Sequence, residues 1–279
     1  MFITRFISSI IVLPIVAILT WLGGIYFVLL IAITTAIASY ELSKMLINRG
    51  HSSHLSNPII TGILGFTSIS LIGIFNLYIS ASIIIPTTLL LLGITSMLYL
   101  ISPKLSSRQS PGKWVQNILF VIAPPLFTIG FLNHIIFIRN GDNGLNWVFI
   151  LIIIISLNDS AAFIFGKLIG KRPFFPFISP NKTLEGSISG IILGTLGGLS
   201  YKIFTNEPDI SILTIIFLSI GLTIFGQMGD LFESGMKRLS KIKDSGNIIP
   251  GHGGVLDRVD SFVFTVAVLY YFIQWSVLF

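Results

Sequence analysis

The sequence predicts an all-α, polytopic integral membrane protein of about nine transmembrane helices, on three observations. Hydrophobic residues make up 53% of the 279-residue chain and charged residues only 10%, against roughly 25% charged in an ordinary soluble chain. Apolar runs of membrane-crossing length recur along the chain. Basic residues gather on one side of those runs. A water-soluble domain is excluded, because too little polar surface remains to face water. With no cysteine, disulfides and thiolate metal sites are excluded too, so a metal here takes carboxylate, imidazole, carbonyl or phosphate ligands.

The runs cover residues 6–23, 25–42, 59–79, 81–101, 115–138, 146–167, 187–204, 211–229 and 257–279. The first has Arg5 ahead of an apolar stretch, as a secretory signal does, but no small-x-small cleavage site follows, so it is expected to remain as a membrane helix. In the fifth, Pro124-Pro125 predicts a kink or a division into half-helices. The sixth carries Asp159 about eight residues from its end, roughly 12 Å at helical rise. In the seventh, Gly190, Gly194, Gly197 and Gly198 dilute the hydropathy but let another helix approach closely. The eighth leaves the membrane at Asp230, and the ninth starts at Asp257.

On this nine-span arrangement every Lys and Arg except Arg139 and Lys202 falls on one side. The positive-inside rule makes that side, and the N-terminus, cytoplasmic. Glu41 is the lone carboxylate of the first 140 residues. The chain therefore reads as an N-terminal transmembrane region, 1–140, and a charge-bearing catalytic region, 141–279, in one continuous membrane unit. There is no linker, short repeat or low-complexity segment between them.

The charges of the second region fall mainly into four groups. Asp159 sits where a carboxylate is costly unless paired, hydrated or bound to a cation; it either packs helices or serves a site. Asp230, Glu233, Lys237 and Lys241 fall along one side of a continuing helix, offering carboxylates and ammonium groups to a metal-bound polyphosphate. Gly246 and the turn Pro250-Gly251-His252-Gly253-Gly254 can bring backbone N–H groups near an anion, ahead of a helix whose N-terminal dipole favours negative charge. Asp257 and Asp260 follow three residues apart. Carboxylates beside phosphate-binding N–H groups repel anions unless a cation intervenes, which argues for Mg²⁺. Lys237, Arg238, Lys241, Lys243 and Arg258 are candidates to balance the remaining anionic charge or to meet anionic headgroups. The loop FGKLIGKRPFFPFISPNKTLEGS adds Lys182 and Glu185, with Thr183 placed to cap the next helix and Phe174, Phe175 and Phe177 suited to the bilayer interface.

Three segments resemble the phosphatidate cytidylyltransferase family: Asn158 to Phe163 with Gly166 and Gly170, Ser179 to Gly186, and Gly229-Asp230 through Ser261. The last carries Lys237-Arg238, Lys243-Asp244, the Pro250 to Gly254 turn and Asp257-Arg258-Val259-Asp260-Ser261 in the family's order. The resemblance implies transfer of the cytidylyl group of CTP to phosphatidate, giving CDP-diacylglycerol and pyrophosphate. It implies metal ligation chiefly at Asp230 and Asp257, with Asp260 and Asp159 as further metal candidates. The ions implied are Mg²⁺ and a second cation such as K⁺. Catalytic candidates are Asp230, Asp257, Lys182 and Lys237; nucleotide contacts fall to Arg238, Lys243, Gly251, His252, Gly253, Gly254 and Arg258. The partners implied are membrane lipid and a second copy of the chain in a homodimer, with no nucleic acid. The place implied is the bacterial cytoplasmic (inner) membrane with the site facing the cytoplasm. Leu184 stands where the family often has tryptophan, Asn181 where it is often basic, and Ser160 where threonine is common; these bear on lipid fit more than on reaction class. The alternatives are a transporter of an anionic solute and nucleotidyl or phosphoryl transfer to another membrane lipid.

Overall fold

The computed structural model describes residues 12, 14–48, 58–76, 124, 127–248 and 253–276. In chain order its elements are α1 (Gly24–Asn48), α2 (Pro58–Asn76), α3 (His134–Asn140), α4 (Gly144–Ile169), β1 (Pro173–Phe175), β2 (Ser179–Thr183), α5 (Leu184–Thr205), α6 (Ile212–Leu239) and α7 (Leu256–Ser276). Residues 14–22 and 127–132 are helical as well. Among the described residues, the short strands β1 and β2 interrupt an otherwise α-helical chain.

The expectation of about nine transmembrane helices is corrected. Among the described residues four helices are long and apolar enough to cross a membrane: Gly24–Met45, Gly144–Ile169, Leu184–Thr205 and Ile212–Leu239. The nine-span orientation with a cytoplasmic N-terminus loses its basis with that count. The run at 59–79 yields a shorter apolar helix, Pro58–Ile74. The run at 115–138 is interrupted at Asn133, a turn residue between residues 127–132 and α3. The run at 257–279 becomes α7, whose first turns carry Asp257, Arg258 and Asp260. Only the 12 residues from Phe262 to Ile273 are free of strongly polar side chains other than Thr265, about 18 Å of helix against a hydrocarbon core of about 30 Å. The run at 81–101 and residues 6–11 and 13 of the first run lie outside the described residues, as do Arg5, Arg49, Lys104, Arg108, Lys113, Gly251 and His252.

The chain divides into two compact units, Met1–Phe137 with Leu239–Arg258, and Ile138–Arg238 with Val259–Phe279. In the first, α1 packs against α2, with Phe27, Val28, Ala32, Ala38 and Met45 buried. Two polar contacts lie inside this apolar unit: the Ser39 and Thr128 hydroxyls are 2.6 Å apart, and the Thr61 hydroxyl donates to the Pro58 carbonyl at 2.8 Å.

In the second unit α4 packs along α5. The buried positions of α4, Trp147, Val148, Leu151, Ile154, Ile155, Asn158 and Ala161, recur at the three- and four-residue spacing of one helix face. The glycines of α5 set the distance between helices. A Cβ at Gly190 would stand 2.7 Å from Asn158 Oδ1, and one at Gly194 3.0 Å from the Ile154 carbonyl, so α5 lies against the backbone of α4. α6 is 28 residues long, about 42 Å, which exceeds the membrane core and carries its last turns beyond it. It ends at Leu239, and Lys241 follows with φ 55°, so the expected ridge stops at Lys237.

Candidate active site

The loop between α4 and α5 is built by short-range bonds that the sequence announces. The Thr183 hydroxyl accepts the Gly186 N–H at 3.2 Å and caps α5. Glu185 Oε2 accepts the N–H groups of Lys171 and Arg172 at 3.0 and 3.2 Å, and the Leu184 N–H donates to the Arg172 carbonyl at 2.9 Å. Between them β1 and β2 pair antiparallel, Pro173 opposite Thr183 and Phe175 opposite Ser179. Phe177, near the hairpin tip, is 97% exposed, an apolar side chain suited to the bilayer interface. The hairpin is tied to the end of α6 by Arg238, whose Nε donates to the Ile178 carbonyl at 3.1 Å.

Beneath the hairpin lies a cavity of about 560 Å³ within the second unit. Asn158, Asp159, Lys182, Gln227 and Asp230 line its polar part, and Ala162, Phe163, Phe174 and Leu231 its apolar wall. Lys182 Nζ pairs with Asp230 Oδ1 at 2.7 Å. Ser234 donates to the same oxygen at 3.5 Å. Asp159 Oδ1 accepts from Asn158 Nδ2 at 2.9 Å and from the Ser261 hydroxyl at 3.4 Å. Asp159, Asp230 and Asp260 repel one another through space, and Glu233 adds to the repulsion on Asp260. Lys182 attracts the Asp159 carboxylate, and Glu233 is paired with Lys237 one turn along α6.

Behind Asp159 stands an amide network with no counterpart among the expected site residues. Gln227 Nε2 donates to Asn158 Oδ1 at 2.9 Å and to the Ser187 carbonyl at 3.0 Å, and the Ser187 hydroxyl donates to Gln227 Oε1. Gln227 thereby fixes which way the Asn158 amide points, leaving its NH₂ to donate to Asp159. A glutamine inside the apolar run 211–229 was the available sequence signal.

Asp257 belongs to the first unit and has different surroundings. Its carboxylate accepts the Ser245 N–H at 3.0 Å and the Gly254 N–H at 2.9 Å. Gly253 has φ +84°, and a Cβ there would stand 2.8 Å from Asp257 Oδ2, so glycine suits both the conformation and the space. Close by, Glu41 of α1 accepts from Ser245, Val255 and Leu256. Its sequence signal was its isolation as the one acid in the first 140 residues. Lys243 and Arg258 are exposed.

Mg²⁺ takes oxygen ligands, and the donors here are carboxylate oxygens. Among the described residues no three His, Asp or Glu side chains draw together closely enough to hold a metal ion. The donor set fits an ion that keeps water and phosphate oxygens in its shell, the usual habit of Mg²⁺, and does not make an all-protein cage.

Long apolar helices and a cavity lined by acids, a lysine and an apolar wall define a helical membrane protein with a mixed polar and apolar pocket. The chain matches the cytidylyltransferase family over residues 3–276, and it belongs to that family. It is similar to the phosphatidate cytidylyltransferase of Bacillus subtilis (strain 168), 44% identical over 140 residues, 50% of this chain and 52% of that protein. It is 44% identical over 128 residues to the protein of that name from Staphylococcus saprophyticus, covering 46% and 49% of the two chains. Against that of Staphylococcus aureus (strain COL) it is 41% identical over 141 residues, covering 50% and 53%. The chain spans about half the length of the curated relatives it matches.

Proposed function

We propose that the protein transfers the cytidylyl group of CTP to phosphatidate, forming CDP-diacylglycerol and pyrophosphate. The observation that carries the reading is the cavity of the second unit, where the Lys182–Asp230 pair and Asp159 share one space with Phe163, Phe174 and Leu231. An acidic phospholipid has this same division, a phosphate at one end and hydrocarbon at the other.

An anionic oxygen of the phosphatidate phosphate bonds to the α-phosphorus of CTP. The bond from that phosphorus to the bridging oxygen breaks, and its electron pair leaves on pyrophosphate. The attacking phosphate is already anionic, so no general base is required. Lys182 balances phosphate charge at the cavity, and Lys237 and Arg238 add positive charge at the end of α6. Asp230 would supply oxygen donors for Mg²⁺, with water and phosphate oxygens completing the shell; Asp257, Asp260 and Asp159 are the other metal candidates carried over from the sequence, and K⁺ is the proposed second cation. Mg²⁺ held by these residues would offset the repulsion between the two phosphate groups and the charge on the leaving pyrophosphate. Gln227 and Asn158 hold Asp159 in place.

On this reading α4, α5 and α6 cross the bilayer in succession, so the hairpin and the end of α6 share one side. Lys171, Arg172, Lys182, Lys237 and Arg238 lie there, which by the positive-inside rule makes it the cytoplasmic side of a bacterial inner membrane. CTP then arrives from water and phosphatidate from the leaflet. A homodimer is part of the same proposal, by resemblance to the family.

The test is to incubate purified protein in mixed micelles with phosphatidate, Mg²⁺ and CTP labelled at the α-phosphorus. Labelled CDP-diacylglycerol in the lipid extract is the expected result. No incorporation by folded protein across several divalent ions, with and without K⁺, refutes the proposal. Label entering a different lipid acceptor would redirect it to that lipid.

A further inference from the structure

We infer that Glu41 is a positioning residue for Ser245 and for the residues Gly254 to Asp257 that open α7. Its carboxylate holds the donors of Ser245, Val255 and Leu256, and through these neighbours Asp257 is held in place. The kinetic part of this inference rests on the cytidylyl-transfer reading; the structural part does not.

Glu41 is 0% exposed. Its Oε2 accepts the Leu256 N–H at 2.8 Å and the Ser245 hydroxyl at 3.1 Å, and its Oε1 accepts the Val255 N–H at 3.1 Å. Val255 and Leu256 carry N–H groups at the start of α7, donors that a helix leaves without an internal partner. A carboxylate at that end also meets the positive pole of the helix dipole. Two glycines pack closely on it: a Cβ at Gly246 would strike the Glu41 carboxylate, and one at Gly254 would stand 2.5 Å from Glu41 Oε2. Glycine at these positions admits a carboxylate of the protein's own.

Two residues link Glu41 to Asp257. Ser245 gives its hydroxyl to Glu41 and its backbone N–H to Asp257. Gly254, packed on Glu41, gives its N–H to Asp257. Releasing the Glu41 end frees the donors that orient Asp257. Packing volume alone does not account for a glutamate here, since a glutamine has nearly the same volume. The three partners are all donors, and a glutamine would turn an NH₂ toward at least one of them.

The test compares wild-type protein with Glu41→Gln in two measurements. The first is amide hydrogen exchange in detergent micelles without nucleotide or metal. Residues 245–257 are expected to exchange about tenfold to a hundredfold faster in the variant, the loss of one or two hydrogen bonds to a charged group, with the peptides of α4 to α6 unchanged. The second is the labelled-CTP assay across CTP and Mg²⁺ concentrations. The expected result is at least about a tenfold rise in the half-saturating Mg²⁺·CTP concentration, with phosphatidate saturation unchanged. Glu41→Asp, which keeps the charge on a shorter stem, is expected to lie between. A purely structural role lowers Tm and the maximal rate per milligram but leaves both saturation curves in place. Unchanged exchange at 245–257 overturns the clamp. Faster exchange with unmoved saturation overturns the positioning role. If Glu41→Gln does not fold, Ser245→Ala removes one of the bonds and is read the same way. If wild-type protein transfers no label, the positioning role in transfer falls with the reaction reading, while exchange still decides the clamp.

Discussion

Lys182 and Asp230 meet at 2.7 Å with side chains 27% and 35% exposed, and removing either one tests whether they act together. At an effective dielectric of about 20, unit charges at this separation attract by roughly 6 kcal/mol before desolvation and side-chain ordering are subtracted. A fully exposed pair retains about 0.2–1 kcal/mol, and breaking a buried pair costs about 3–5 kcal/mol. Partial exposure puts this pair between those limits, at about 1–3 kcal/mol of coupling. The assay is a double-mutant cycle with Lys182→Ala, Asp230→Ala and the double variant, using Tm for stability and labelled-CTP transfer for activity. Each single variant is expected to lose about a hundredfold or more in kcat/KM, approximately 2.7 kcal/mol of transition-state stabilisation. The double variant is expected to lose far less than the product of the two, because each single variant leaves a half-buried charge unpaired. Losses that multiply to within about twofold mean a coupling below about 0.5 kcal/mol; the two groups would then act independently, and the reasoning would be refuted. Unchanged kinetics for Lys182→Ala at subsaturating CTP would also remove Lys182 from the site.

Asp257→Ala is expected to abolish Mg²⁺-dependent transfer while the protein stays folded and soluble in detergent, and near-normal turnover removes its metal role. Chelation with EDTA should stop transfer and added Mg²⁺ restore it; transfer persisting in EDTA excludes the divalent ion. Gln227→Leu leaves Asn158 Oδ1 and the Ser187 groups without their partner and should lower stability by about 1–3 kcal/mol, read as a fall in Tm; a Tm within error of wild type refutes the network's role. Gly190→Ala places a methyl group 2.7 Å from Asn158 Oδ1. Forcing the helices apart should cost about 1–3 kcal/mol, and an unchanged Tm shows that α5 can move away freely.

Local chemistry alone foretold several of these elements. The runs at 25–42, 146–167, 187–204 and 211–229 became α1, α4, α5 and α6, because a stretch of apolar side chains declares its own burial. The Thr183 cap and the close-packing glycines of α5 were also legible, since each depends on residues within a few positions or on one helix face. The count of crossings was not. Hydropathy over 257–279 averages across the charged first turns of α7, and it does not register the break at Asn133. The run that exits the membrane at Asp230 continues as helix to Leu239, which hydropathy cannot see once the chain is in water.

Which acid meets which base was a question only the tertiary structure decided. Lys182 finds Asp230 by the packing of the hairpin beside α6. Asn158 and Gln227, 69 positions apart, are joined across helices that the α5 glycines bring close. Glu41 reaches Leu256 across 215 positions, so an acid isolated in its own half of the sequence becomes the anchor of a glycine-rich segment near the other end. The sequence by itself determined the membrane class and the kinds of residue it offers to a site. Their partners were left to packing, because a charge buried among apolar helices is stable only where another part of the chain brings it a donor or an opposite charge.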